Sequence, residues 1–487
     1  MMDWSRLKWG VWLSALVVLA VMAVGCGGGG NTTQQQQPSG AAPAAPAKQA
    51  AAPTTAAPAG QSAPQATQPA AAAKSAAPAQ GAAPAQGAAT PGKVTISAVR
   101  GSMMDTLRKI ADKYQQTHPG MTVDVVPEPE GGAFEALIAA GNQPDVVIGS
   151  FGSMIGKYAQ QNALVPLEDM PGAKDLFGRL DQEAVKQVYG HNYYVPLGAD
   201  VTLMIYNKDL FKEAGLDPNK PPQTYDEFLQ AAEKIQALPA RSGGEKVYGT
   251  VFWNDALTWG GWYWNMLQPM YVNLNGNQCL LLNRLGTDIM YDKPECKLKE
   301  FFDFTKNAQK FAPPTMEKNF FTRSIGMWPQ YGYSWEPNLK QAAGKPMVIG
   351  EDVGVAPVPV AKAGDKSFTT YGGRPLMIMK TTPERQARAW DFIQFMMQDE
   401  NNLQFIKELG YLPVITKLKS DPYFTEPARK PFVDALQTAV FPQLFSNAED
   451  VANAILGVYQ QTVVQGKMSP DQAVAQAATQ GREKLKK

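Results

Sequence analysis

The sequence predicts an α/β protein built as two lobes, each a sheet flanked by helices. Strands and helices alternate from Val94 to Ile148, the pattern of a parallel sheet covered by its own crossover helices. The stretch from Lys93 to Lys487, about 395 residues, is longer than one hydrophobic core usually grows. The residues ahead of it have the composition of a leader and a spacer, which leaves the whole core to that stretch.

The chain begins with Arg6 and Lys8 ahead of an apolar run from Val11 to Val24, the layout of an export signal and short for a membrane span. The run closes on Ala23-Val24-Gly25-Cys26, which resembles the lipobox of bacterial lipoproteins, although Ala23 stands where Leu is commoner. Cys26 is therefore expected to be acylated and to become the mature N-terminus. From Gly27 to about Pro91 the residues are Gly, then Gln, then Ala-Pro-Gln repeats with almost no charge and no aromatic ring. Such a segment cannot bury enough apolar surface to fold, and it reads as a tether reaching roughly 45 Å as a relaxed coil.

Within the folded part, Val94–Val99 reads as a strand, and Met104–Gln116 as a helix with Leu107, Ile110, Ala111 and Tyr114 on one face. His118-Pro119-Gly120 ends that helix. Met121–Val126 is a second strand, Phe134–Ala140 a helix, and Pro144–Ile148 a third strand with the continuous apolar character of a buried one. Ligands of such sheets sit beyond the carboxyl ends of the strands, here near Arg100 to Ser102, Glu128 to Gly131 and Gly149 to Gly152. Further helices are expected at Tyr225–Ile235, Phe301–Phe311, Arg385–Met397, Asp434–Val464 and Pro470–Lys486.

Composition narrows the partners. With 45 Lys and Arg against 44 Asp and Glu, the chain lacks the basic excess that nucleic acid or an acidic membrane surface calls for. Beyond Cys26 it has only Cys279 and Cys296, and an exported protein favours bridging such a pair over leaving two free thiols. No metal-type His pair, Gly-x-Ser-x-Gly elbow or Cys-His arrangement is visible, and only His118 and His191 exist. A glycoside hydrolase, which needs just two carboxylates, is the enzyme alternative the composition leaves. No cofactor is called for.

Several spaced signatures then occur in one order. They are Gln143-Pro144-Asp145-Val146-Val147, Leu164-Val165-Pro166-Leu167, Tyr194 to Asp200, Leu203 to Phe211 and Ala214-Gly215-Leu216. Pro221 to Phe228, Met327 with Trp335, Val353 to Pro359 and Gly410-Tyr411-Leu412-Pro413 complete the set. Together they resemble the extracellular solute-binding proteins of family 1, which include the maltose-binding and glycerol-3-phosphate-binding proteins of ABC importers.

The resemblance implies a two-lobed periplasmic-binding-protein fold of the class II type with the ligand cleft between its lobes. It implies a monomer that hands a small polar solute, a sugar first of all, to permease subunits. A receptor-feeding sensor shares the fold. The implied division is a signal peptide over 1–25, a tether over 26–92, a first lobe of 93–205 with 372–409, and a second of 206–371 with 410–487.

Sugars offer apolar C–H faces and rings of hydroxyls, so their sites join aromatic walls to planar hydrogen-bonding groups. The maltose-binding pattern, carried over by position, implies an acidic cleft residue at Asp200, stacking aromatics at Tyr333 and Trp335, and a polar contact near Asn254. Gly152 departs from it, standing where maltose-type proteins have a carboxylate, so maltose itself is not the expected ligand. Phe151 offers a ring in the same loop. Trp253 and Trp259 come from the densest aromatic cluster, where intervening glycines and polar residues point some rings to a cleft rather than a core. Arg374, after Tyr371-Gly372-Gly373, answers either an anionic ligand such as a phosphodiester or a surface carboxylate.

Overall fold

The βαβ alternation read from the first strands is the frame on which the rest is laid. In the computed structural model, which describes residues 92–129, 132–241, 243–252, 261–314 and 319–486, β1 (Gly92–Ala98) is followed by α1 (Ser102–Thr117) and β2 (Met121–Pro127). Then come α2 (Ala133–Ala139), β3 (Val146–Ile148) and α3 (Ser153–Gln160). β1 pairs in parallel with both β2 and β3. Leu107, Ile110 and Tyr114 of α1 are fully buried, as their spacing requires, and each aliphatic among them contributes roughly 1.5–3 kcal/mol by burial. Cys26, Trp253, Asn254 and Trp259 lie outside the described residues.

After α4 (Ala173–Arg179) runs β4 (Val195–Asn207), and after β4 come α5 (Lys208–Glu213), α6 (Tyr225–Gln236), β5 (Tyr248–Thr250) and α7 (Gly261–Asn275). Next are α8 (Leu298–Gln309), β6 (Ile325–Gly332), β7 (Val353–Ala356) and β8 (Thr369–Ile378). The chain ends through α9 (Pro383–Met396), α10 (Asp399–Leu409), β9 (Ala439–Val440), α11 (Ala448–Tyr459) and α12 (Pro470–Leu485). Among the described residues these strands make one open mixed sheet, β2-β1-β3-β8-β4-β6-β5, with β7 on β4 and β9 on β8.

β4 is the strand that joins two halves of this sheet. Its first part, Val195 to Val201, pairs with β8, and its second, Thr202 to Asn207, pairs with β6 and β7. All these pairings are antiparallel, so the parallel arrangement inferred from the first three strands holds there and gives way to a mixed sheet beyond β3.

The signatures turn out to be mostly structural. Asp145, 2% exposed, accepts from the Thr95 backbone N–H at 2.7 Å and from Arg385 Nε at 2.6 Å, tying β1 to α9. Asn207 caps α5 by accepting from Asp209 and Leu210, and Thr224 with Glu227 forms the expected capping box on α6. Caps of this kind are each worth about 1 kcal/mol.

The continuous helix expected over Asp434–Val464 is not formed. The chain there is a short turn, the two-residue strand β9 on Thr369–Thr370, and an extended stretch before α11. Pro442 explains the break, because it has no N–H to donate and pushes Phe441 out of the helical region.

Cys279 and Cys296 are bridged, with Cα atoms 5.3 Å apart and a sequence separation of 17. Closing a loop of that size stabilises a protein by about 3 kcal/mol. Replacing both cysteines with serine is therefore expected to lower stability by about that amount, measured by urea unfolding. A double variant that unfolds at the wild-type midpoint would show that the bridge contributes nothing.

Candidate functional site

The paired strands β4 and β8 carry the charged residues of the site. Asp200 lies opposite Gly372, and Arg374 opposite Gly198, so both side chains project from one face with a glycine across from each. Gly373 between them has φ 126°, and a Cβ there would meet the Gly198 carbonyl oxygen at 2.1 Å. Only glycine lets the two backbones approach so closely at the irregularity between Pro196 and Gly198.

Arg374 is held from three directions. Its Nε donates to the Tyr411 hydroxyl at 2.8 Å, and Nη1 donates to Ser150 Oγ at 3.0 Å and to the Gly149 carbonyl at 3.4 Å. Burial works against its charge, but the Tyr411 hydroxyl, Glu128 and Asp200 outweigh this and hold the guanidinium firmly protonated. The arginine is thus a partly buried cation in the crossing, not a member of a surface salt bridge.

Asp200 faces the second half of the sheet. Its Oδ1 accepts from the backbone N–H of Val201 at 2.9 Å and of Ser334 at 3.2 Å. Burial pushes its carboxyl up to about 6, against the pull of hydrogen bonds from Ser334 and neighbouring backbone. A Cβ on Gly332 would approach its Oδ2 to 3.2 Å, so the small residue leaves that oxygen room.

Ser334 belongs to the turn Tyr333–Trp335 that follows β6. Trp335 is partly exposed, and one face of its ring stacks on Trp328 at 4.7 Å with 21° between the planes. Tyr333 is fully buried with its ring against Phe432 at 5.0 Å. Phe151 is 3% exposed and meets Tyr194, Tyr371 and Phe441 edge-on. Of the expected residues that are described, Asp200 and Arg374 project from one face of the β4–β8 pair, Trp335 follows the Ser334 whose N–H Asp200 binds, and the rings of Tyr333 and Phe151 are packed into aromatic clusters.

Residues without an assigned role in the sequence reading complete the surroundings. Ser150 and Tyr411 fix Arg374, and Glu128, the first residue after β2, bears a carboxyl that burial pushes up and the Arg374 charge pulls back. The rule that ligands sit beyond strand ends pointed to Glu128 and Ser150, while Tyr411 stood within a signature. Among the described residues no group of three or more His, Cys, Asp and Glu is placed to hold a metal ion.

A mixed open sheet whose two halves share a strand, with a carboxylate and a guanidinium on one face where they join, suits a binding protein of the α/β class. The chain belongs to the bacterial extracellular solute-binding proteins, whose family pattern matches residues 100–403. The resemblance read from its signatures is thereby borne out.

A maltotriose-binding protein of Pyrococcus abyssi is 26% identical over 367 residues, covering 72% of each chain. An sn-glycerol-3-phosphate-binding periplasmic protein of Pectobacterium atrosepticum is 24% identical over 437 residues, covering 80% of this chain and 90% of its own. In fold, the chain is similar to the cyclic alpha-maltosyl-1,6-maltose binding protein of Arthrobacter globiformis, with a TM-score of 0.67, 21% identity, and coverage of 82% of this chain and all of that one. It is likewise similar to the GacH receptor of Streptomyces glaucescens, with a TM-score of 0.68, 22% identity, and coverage of 82% and 99%.

Proposed function

We propose that the protein captures a carbohydrate at the β4–β8 crossing and delivers it to the permease of an ABC importer, acting as a binder and not as an enzyme. The observation that carries this is the placement of Asp200 on the shared strand β4 and of Arg374 on its partner β8, both projecting from one face, with the partly exposed Trp335 next in sequence to the Ser334 whose N–H Asp200 binds. Carboxylate and guanidinium supply an acceptor and a donor for hydroxyls, and an indole face suits the C–H side of a sugar ring. The maltotriose-binding relative supports the same ligand class.

The lobes proposed are 93–205 with 372–409 and 206–371 with 410–487, so that β4, β8 and the stretch after Gly410 are the crossings. A ligand touching both would favour the closed arrangement by its contacts there. Trp253, Asn254 and Trp259 are proposed as further contacts from the second lobe. A melting-temperature screen against neutral mono- to tetrasaccharides, polyols and sn-glycerol 3-phosphate tests the class, since a bound ligand stabilises the native state by mass action. Stabilisation by a neutral sugar is the expected result, and stabilisation by the phosphoester alone would replace this reading with that of the glycerol-phosphate-binding relative.

Cys26 is proposed as the acylated residue that anchors the chain outside the cytoplasmic membrane, with the residues up to 92 as its tether. Cys26→Ser is expected to move the protein from the membrane fraction to the soluble one, because two or more acyl chains hold firmly and a bare N-terminus does not. A variant that stays with the membrane would refute the lipid anchor.

A further inference from the structure

Gly156 lies inside α3, and the space beside it is filled by a distant part of the chain. A Cβ there would meet the Leu444 carbonyl oxygen at 1.9 Å and the Ser446 backbone nitrogen at 2.8 Å. Ordinary non-bonded contact starts at about 3.5 Å, so only a residue without a side chain lets this helix touch the 444–446 backbone. The helix itself would be better served by alanine.

The segment that Gly156 meets is fastened to the second lobe. The Gln443 side chain accepts from the Leu282 N–H at 2.7 Å and donates to the Leu282 carbonyl at 2.8 Å. The Phe445 ring lies over Gly286, where a Cβ would come within 2.6 Å of it, and Asn447 Nδ2 donates to the Gly286 carbonyl at 3.3 Å. Residues 443–447 are therefore a ledge of the second lobe, presented to α3 of the first.

Another first-lobe element rests on the same ledge. Val188 and His191 pair across the two-residue turn Tyr189-Gly190, in which Tyr189 has φ 51° and Gly190 φ 86°. Asn or Gly suits the first place of such a turn, and a bulky ring held in the left-handed region is strained. Tyr189 is 47% exposed, so core packing does not account for it. Its hydroxyl accepts from the Ser446 N–H at 3.3 Å, and Lys186 Nζ, just upstream, stands over the Phe441 ring at 5.7 Å.

We infer that Gly156 and Tyr189 form a closing seat: the bare backbone of α3 and the tyrosine hydroxyl receive the 444–446 ledge, and together they set how far the protein closes before any sugar is bound. This rests on the lobe division proposed above. A binding-competent closed form that is only partly populated lowers apparent affinity in proportion, so the seat also tunes how tightly sugar is held.

Pulsed electron paramagnetic resonance on the Cys26→Ser chain, spin-labelled at Gln161→Cys and Asp450→Cys, reads the seat without a ligand. The labels stand at the exposed end of α3 and the exposed start of α11, on either side of the contact, and Cys279 and Cys296 are consumed in their bridge. The expected result is one short separation in the sugar-free protein, a longer one in Gly156→Ala and a still longer one in Gly156→Leu. Tyr189→Phe, which removes one hydroxyl from an exposed hairpin, is expected to give a mixture of short and long separations, and it keeps the test decisive should an α3 variant fail to fold in melting curves. A sugar-free wild type already as far apart as Gly156→Leu overturns the seat, as does an unchanged separation in the folded Gly156 variants. An unchanged separation in Tyr189→Phe overturns the part given to the hydroxyl. Whether sugar is held at the β4–β8 crossing is decided separately by the melting-temperature screen, which none of these outcomes touches.

Discussion

Asp200→Asn is expected to stabilise the ligand-free protein at pH 8 by roughly 3 kcal/mol and to weaken sugar binding by about a hundredfold. Burial raises the native Asp200 carboxyl from an ordinary 3.8 to about 6, and each unit of such a shift corresponds to about 1.4 kcal/mol. The sign follows from proton counts. Between pH 3.8 and about 6 the native state binds more protons at this position than the unfolded chain does, so its contribution to stability is fully present below 3.8 and is lost as pH rises through 6. Above that, the folded protein carries a desolvated anion that Asn removes, while Asn keeps the oxygen that accepts from Val201 and Ser334. The loss of binding comes from replacing an anionic acceptor, since hydrogen bonds to charged groups are worth about 1.5–3 kcal/mol. Melting curves of both proteins at pH 5 and pH 8, with calorimetry at pH 8, decide the matter. Equal melting temperatures at pH 8 with undiminished affinity would contradict it.

Trp335→Ala is expected to weaken sugar binding by roughly 1 to 3 kcal/mol, tenfold or more, at a modest loss of stability. Trp328→Ala is the contrasting variant. Trp328 is 4% exposed and packs between Phe321, Tyr331 and Trp335, so its truncation should cost about 3–5 kcal/mol of stability, as for other core tryptophans. The two stacked rings thus have opposite assignments, one a platform and one its support. If Trp335→Ala destabilises the ligand-free protein as much as Trp328→Ala does, and the folded fraction binds normally, the platform is core and the site loses its aromatic wall.

The contrast shows what could be read before the fold was known. Alternation of strand and helix located β1 to β3 and the face of α1, because that information is local and periodic. Asp200 and Arg374 could be placed through the signatures around them, and each lies across from a glycine, Gly372 and Gly198, where a Cβ on Gly198 would meet Tyr411 at 2.8 Å. The direction in which an aromatic ring points is not local. Tyr333 and Trp335 are two residues apart in one turn, yet one is buried against Phe432 and the other remains partly exposed. Tyr411 could be placed near the site by motif, but its role arises from Arg374, a partner far away in sequence. The helix expected over Asp434–Val464 forms only from Ala448 onward, because helical periodicity on either side outweighed a single proline in the reading, whereas the chain's pairing with β8 needed two residues of strand there.

The central claim, that ligand is held where β4 crosses between the sheet halves, is tested most directly by one calorimetric titration. The Asp200→Asn/Arg374→Ala double variant is titrated with whichever neutral sugar most raises the melting temperature of the wild type. Loss of the acceptor and the cation together predicts no measurable heat of binding from a protein that still melts cooperatively. A double variant that binds this sugar with wild-type affinity would place the site elsewhere on the molecule.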